Sequence, residues 1–250
     1  MGSLNERALQ GAFRIANGNF QSTDFIWKFG YNGDVDTAEE TVWDHGGLYN
    51  YVPSPQTLSF SSTSANDAAA GTGAQTILAI GLDENFDDLQ ETITLNGQTA
   101  VSSVAQFSRI FRMIVVTAGS AETAAGTIYA GTGTVTAGVP AEVHARITLG
   151  ENQTLMAVYT VPRNRIGLLW AASVNTGGSS SNIINARTII RTSGGVFRTG
   201  ARLIINNGTG SGETVYPIPL PALTDYEIRA AGSGPNTDVS ATFEVMTIAA

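Results

Sequence analysis

From residue 41 onward the apolar residues of this chain recur at every second position, and that period decides the fold class. The clearest window is 142–149, where Val143, Ala145, Ile147 and Leu149 alternate with Glu142, His144, Arg146 and Thr148. Successive side chains of a strand point to opposite faces, so the pattern predicts a half-buried strand with His144 on its polar face. Further windows predict strands over 57–61, 75–81, 90–95, 105–117, 127–130, 134–137, 154–161, 166–174, 183–192, 196–206, 226–231 and 240–248. Asn96-Gly97 is a strong turn signal after the third of these. The run YPIPLP at 216–221 carries three prolines and so reads as an extended edge segment. No helix longer than two turns is expected.

So many short strands fit an all-β chain of two tandem β-sandwich or jelly-roll-like units, since a single open sheet would leave long edges unpaired. The units are placed at 41–137 and 138–250, behind an extended N-terminal arm at 1–40. In the arm, Leu4, Ala8, Leu9 and Phe13 allow one or two helical turns, too few to stand alone. Phe20, Phe25, Trp27, Phe29 and Tyr31 then follow in a polar frame. These rings need a surface, either on their own domain or on a neighbouring subunit. The adjoining run TVWDHGGLYNY at 41–51 is read as the opening strand of the first unit, with Trp43, Tyr49 and Tyr51 as aromatic anchors for a partner. On this reading, removal of residues 1–40 leaves a folded, soluble protein that no longer binds its partner.

Charged residues make up only 14% of the chain, against about 25% in an ordinary soluble domain. A surface of Thr, Ser, Asn, Ala and Gly suits a protein that neighbours soon cover, and points to a homo-oligomer. The net charge is -8, with 13 basic residues and no basic run, which argues against direct nucleic-acid binding. Cysteine is absent, so neither disulfides nor thiolate metal sites are expected. No apolar stretch approaches the roughly 18 residues of a membrane-spanning helix, and no signal peptide is expected.

The residues that could carry chemistry are few. His45 and His144 are the only histidines, too far apart in sequence for a zinc motif. Asp44 and His45 are adjacent, so on a strand they face apart and make a poor start to a catalytic triad. Asp83, Asn85 and Asp87 space their oxygens like a calcium loop, but Asp88 and Thr94 stand where that loop needs Gly and Glu. They are a weak calcium candidate, and Asp34 and Asp36 a weaker one. The GTG runs at 71, 131 and 208 lack the Lys and helix of a phosphate loop and read as turns. No cofactor and no enzymatic activity are expected.

Two stretches resemble a known family. The first is 41–120, with its Trp-Asp strand, AGTGA, GLD, ETITLNG and FRM in that order. The second comprises LMAVYTVPRNRIGLLW, RTSGGVFRTGARL and YPIPLPALTDYEIRA. Together they resemble virion structural proteins of tailed bacteriophages, of the capsid cement or decoration type. Related β domains occur in phage fibre and neck proteins. Arg163-Asn164-Arg165 departs from the pattern, since a Gly and a Lys are usual in that turn. The resemblance implies a homotrimer, made in the host cytoplasm, that ends on the virion bound to the major capsid protein. The alternative it leaves is a fibre, spike or neck component binding host-surface glycan through loops 175–182 or 207–214. A depolymerase is a poor candidate without a β-helix repeat.

Overall fold

The computed structural model describes residues 22–177, 182–206 and 208–250, with the backbone alone at 213–216. The chain is all-β, with no helix among the described residues. It opens with β1 (Thr23–Val35) and β2 (Glu40–Thr41). Seven strands follow: β3 (Ser59–Ser62), β4 (Ala74–Leu82), β5 (Asp88–Thr94), β6 (Val101–Ser102), β7 (Arg109–Ala118), β8 (Ile128–Thr136) and β9 (Val139–Ile147). The last seven are β10 (Val158–Thr160), β11 (Arg165–Thr176), β12 (Ile183–Arg191), β13 (Arg198–Asn206), β14 (Gly208–Leu220), β15 (Asp225–Gly232) and β16 (Thr237–Ala249).

Pairing sorts them into four antiparallel sheets. Two have the orders β6-β3-β8-β9 and β5-β4-β7, and between them lies one core containing Trp43, Phe60, Phe107 and Met113. The other two have the orders β1-β16-β11-β14 and β10-β15-β12-β13, with β2 on β15. Their core contains Tyr159, Tyr226, Phe243 and Val245. β16 is the centre of this second unit. Its residues Thr237, Val239, Ala241, Phe243, Val245 and Thr247 point inward and their neighbours outward, the strict alternation expected of a strand with one dry face.

These pairings draw boundaries different from 40 and 137. Residues 23–35 are not an arm but the edge strand of the second unit, in register with β16 from Thr23↔Ile248 to Val35↔Thr237. β9 belongs to the first unit, hairpinned to β8 through Ala137 (φ 50°) and Gly138 (φ 82°). Two left-handed residues match the strand twist there, and a Cβ on Gly138 would lie 1.9 Å from the Ser62 carbonyl oxygen. The first unit is thus inserted into the second, between β2 and β10. Its two connecting segments run side by side: Ala157 donates to the Val42 carbonyl (3.0 Å) and Asp44 to that of Leu155 (3.1 Å). Gly30 of β1 passes against this crossing, where a Cβ would lie 2.1 Å from Val42 O and 2.4 Å from Ala157 N.

Other expectations change in detail. The run 41–51 is mostly irregular chain folded around Trp43, whose Nε1 donates to Gly46 O (2.9 Å) and Gly47 O (3.1 Å). The GTG at 131–133 lies inside β8, and that at 208–210 inside β14, so neither is a turn. β14 is the edge strand that the prolines required. In the 163–165 turn Asn164 takes the left-handed conformation (φ 61°) that Gly usually supplies.

Candidate functional site

β1 carries the most unusual surface. Alternation along TDFIWKFGYNGDV sends Ile26, Lys28, Gly30 and Asn32 inward and Phe25, Trp27, Phe29 and Tyr31 outward. Phe25, Trp27 and Tyr31 are 51%, 53% and 39% exposed, and Phe29 is half-buried. Their neighbours across β16 are Met246, Glu244, Thr242 and Ser240. Beyond these on β11 come Leu168, Ala171, Ser173 and Asn175. Mostly small side chains flank the rings, and Phe25, Trp27 and Tyr31 remain exposed among the described residues.

The row is held in place from its own side. Trp27 and Phe29 pack with ring centroids 5.0 Å apart. The Arg112 guanidinium lies 4.9 Å from the Phe29 ring centre and donates to the Trp27 carbonyl (3.1 Å). Tyr31 Oη donates to Asp238 Oδ1 at 2.9 Å. Burial, with this hydrogen bond, raises the Tyr31 phenol above its ordinary pKa. On the inward face, Lys28 is the only lysine of the chain, 3% exposed, donating to the Phe111 carbonyl. Burial and then Arg112 hold its pKa well below the usual amine range.

A second feature joins the two units. Asp225 of β15 sits at the edge of a cleft of about 770 Å³ lined by Tyr51, Phe86, Arg109, Arg191 and Phe197. Arg109 of β7 reaches its Oδ1 through Nε (2.9 Å), and Arg191 of β12 reaches its Oδ2 through Nε (2.8 Å) and Nη2 (2.5 Å). Thr160 Oγ1 donates to Oδ1 at 2.6 Å. Both guanidiniums stack on rings: Arg191 at 4.6 Å from Tyr51 and 4.2 Å from Phe197, Arg109 at 5.1 Å from Tyr51 and 5.2 Å from Phe86. Cations over aromatic faces attract them. With both guanidiniums committed to Asp225 and stacked on rings, this cluster acts as a strut between the units. Behind it Glu227, fully buried, accepts from Thr41 Oγ1 (2.9 Å) and Arg229 Nε (2.9 Å). Burial still raises the Glu227 carboxyl above its ordinary pKa.

The other residues singled out by sequence fall as follows. Trp43 (1% exposed) and Tyr49 (6%) are core residues of the first unit, and Tyr51 packs against that core. Tyr49 Oη donates to Ile110 O at 2.7 Å. As anchors for a partner these three are corrected: Trp43 and Tyr49 are buried within their own chain, and the half-buried Tyr51 ring is taken up by Tyr49, Arg109 and Arg191. Phe20 and the segment 4–13 lie outside the described residues, as do 178–181 and 207 of the two loops.

His144 is buried rather than on a polar surface, with Nδ1 2.8 Å from Asn50 O and Nε2 3.2 Å from Thr132 Oγ1. Burial lowers its pKa. The alternation holds for Val143, Ala145 and Ile147, which are buried, but Leu149 lies beyond the strand and is exposed, and Asn50 of the neighbouring loop covers His144. Asp44 accepts from Thr148 Oγ1 (2.8 Å), and burial pushes its carboxyl up to about 6. His45 packs instead against Trp43, ring centroids 5.0 Å apart, and is also lowered by burial. Asp83 Oδ1 accepts from the backbone N–H of Asn85 (2.8 Å) and Asp87 (2.9 Å), so that carboxylate closes its own turn. No group of three or more His, Asp or Glu that could hold a metal ion occurs among the described residues.

No family model matches the chain, and no curated protein matches it. Among solved structures it is similar to that of the infectious bursal disease virus Gx strain, at 11% identity and TM-score 0.26, covering 91% of this chain and 72% of that one. It is similar also to the VP2 subviral particle of infectious bursal disease virus, at 9% identity and TM-score 0.25, covering 92% and 72%. The T=1 particles derived from that virus give 10% identity and TM-score 0.21, covering 92% and 74%. Likeness at this level carries no argument.

Proposed function

We propose that the chain is a structural protein of a tailed-bacteriophage virion, of the capsid cement or decoration type. In this reading it is a homotrimer that bridges neighbouring subunits of the major capsid protein and catalyses nothing. The observation that carries it is the row of Phe25, Trp27, Phe29 and Tyr31, held in place by Arg112 and Asp238 with Phe25, Trp27 and Tyr31 exposed. Large exposed apolar patches on soluble proteins mark interaction sites. Rings fixed in advance lose little further freedom on docking. A low-charge surface and a strut locking the two units suit a part that transmits load.

The role is mechanical. Internal pressure on a packed shell pulls its subunits apart, and a bridge resists by the area it buries on both sides. Several modest contacts made at once raise the effective concentration of each, so the bridge holds even where single patches are weak. The family resemblance of the two stretches quoted above supplies the phage assignment; the virus-particle structures supply none of it.

The test pairs a variant with a count. Phe25→Ser/Trp27→Ser removes two exposed rings at about 2 kcal/mol each. It is expected to keep the circular dichroism of the parent and a cooperative melting transition, and to bind particles at least about a hundredfold more weakly. Full binding by the folded variant refutes the role of this face. Densitometry of purified virions should give a copy number that scales with the capsomers of the shell. A number matching one vertex or one tail overturns the cement assignment in favour of a fibre or neck part.

A further inference from the structure

We infer that copies of this chain join head to tail, the β13–β14 edge of one against the β1 face of the next, and so close into a ring. This rests on the β1 row being a subunit contact, and goes beyond it by naming the partner as a second copy.

The second surface lies on the far side of the same unit. β1 and β14 are the opposite ends of one sheet, and β10 and β13 the opposite ends of the other. β13 is unlike a normal sandwich strand. Arg198, Thr199, Gly200, Ala201 and Arg202 are all exposed, and Ile204 is 71% exposed. Val196, leading into it, is 74% exposed, and Ile218 on β14 is 44% exposed. An edge strand with bare apolar side chains is a site for association.

Charge decides what fits. Arg198 and Arg202 make no ion pair among the described residues, and the cross-strand neighbour of Arg202 is Arg187, which is tied to Glu39. On the β1 side, Glu244 lies across from Trp27 and Asp238 holds Tyr31, and neither carboxylate is in an ion pair among the described residues. Arg112 stacks there on Phe29, and Arg165 is neutralised by Asp24 (2.7 Å). The β13 edge is therefore basic and apolar, and the β1 face, with Glu244 and Asp238 against the one guanidinium of Arg112, is apolar and on balance acidic. A two-fold dimer would set like against like on either surface. Joining the two different surfaces sets arginine against carboxylate and apolar against apolar, and like-charge contacts are what exclude wrong pairings. Two unlike patches on opposite sides make a heterologous contact, which yields a ring when its rotation closes.

Native mass spectrometry and light scattering on the full chain test this. The parent is expected to form a closed oligomer. Ile204→Asp alone, and Phe25→Ser/Trp27→Ser alone, should each be monomeric with the circular dichroism of the parent and a cooperative melt, since within one chain the altered side chains are exposed. Mixed in equal amounts, they should form dimers and nothing larger, because only one intact head and one intact tail remain. Arg202→Glu and Glu244→Arg should each weaken association at least about tenfold, and the combined variant should recover it. A monomeric parent, an oligomeric Ile204→Asp, or a mixture that stays monomeric overturns the inference. If Ile204→Asp remains oligomeric while Phe25→Ser/Trp27→Ser loses particle binding, the head-to-tail contact is refuted while the virion role stands.

Discussion

Asp225→Asn tests the strut between the units most directly. The Asp225 side chain is 3% exposed and takes the positive charge of Arg109 from the first unit and Arg191 from the second. Asparagine keeps the shape and can still accept from Thr160. Its amide nitrogen, however, can only donate, and it would face guanidinium N–H groups that also only donate. Removing one partner of a buried ion pair costs about 3–5 kcal/mol, because the other charge is left buried. Here Arg191 is 26% exposed and can turn toward water, while Arg109, at 14%, is more confined. The lower figure, about 3 kcal/mol, is therefore expected. For a chain of this size about 1 kcal/mol moves the melting point 2–4 °C, so the expected loss is roughly 6–12 °C by calorimetry. Urea unfolding should locate the effect at the junction: a cycle with Arg109→Met should show coupling of at least about 1 kcal/mol. A melting point within about 2 °C of the parent, or additive single effects, would refute the claim that this carboxylate ties the units together.

Asp44 should make stability depend on pH. Its folded carboxyl is raised to about 6 from 3.8, so the folded state holds the proton more tightly than the unfolded chain. Its contribution is therefore favourable below about pH 4, fades as pH rises through 6, and costs on the order of 2–3 kcal/mol at pH 7.5. Asp44→Asn is expected to raise the melting point at pH 7.5, with the difference from the parent vanishing near pH 4. Glu227 and Asp88 are shifted the same way, so only the difference curve belongs to Asp44. A difference that does not change with pH would contradict the assignment. Truncation gives a further check: removing residues 1–40 takes away β1 and β2 and should abolish cooperative unfolding, whereas removing 1–21 leaves every described strand intact and should preserve it. A cooperative transition in the longer deletion would show that β1 is dispensable.

How much of this was legible depended on whether the signal was local. The period of two located most strands within a few residues, because alternation is written in consecutive side chains. Nesting was not legible. Nothing in 23–35 says that its hydrogen-bonding partner is 237–248, since pairing over such a separation is set by the shared core, not by local pattern. The same limit hid the strut: Arg109, Arg191 and Asp225 are ordinary in isolation and meaningful only together. His144 failed for a related reason, because alternation assigns a face but does not say what covers it. The lone lysine was readable by simple count, and its burial against Phe111 was not.

The aromatic row shows what the structure adds to such a pattern. From the sequence, five rings between residues 20 and 31 either cap their own domain or lie on a neighbour. For the four that are described, the alternatives turn out to be the two faces of one strand. The inward face of β1 does the capping, through Ile26, Lys28, Gly30 and Asn32, and the aromatic residues are those it leaves outward. A one-residue slip of β1 on β16 would bury the rings and expose Lys28 and Ile26. That slip is blocked, because Gly30 fits the crossing of the connecting segments where any Cβ would collide with Val42 and Ala157. The Lys28 amine also reaches one carbonyl, that of Phe111. The inserted unit therefore fixes the register that leaves Phe25, Trp27 and Tyr31 exposed, so the fold of one unit determines the aromatic face of the other.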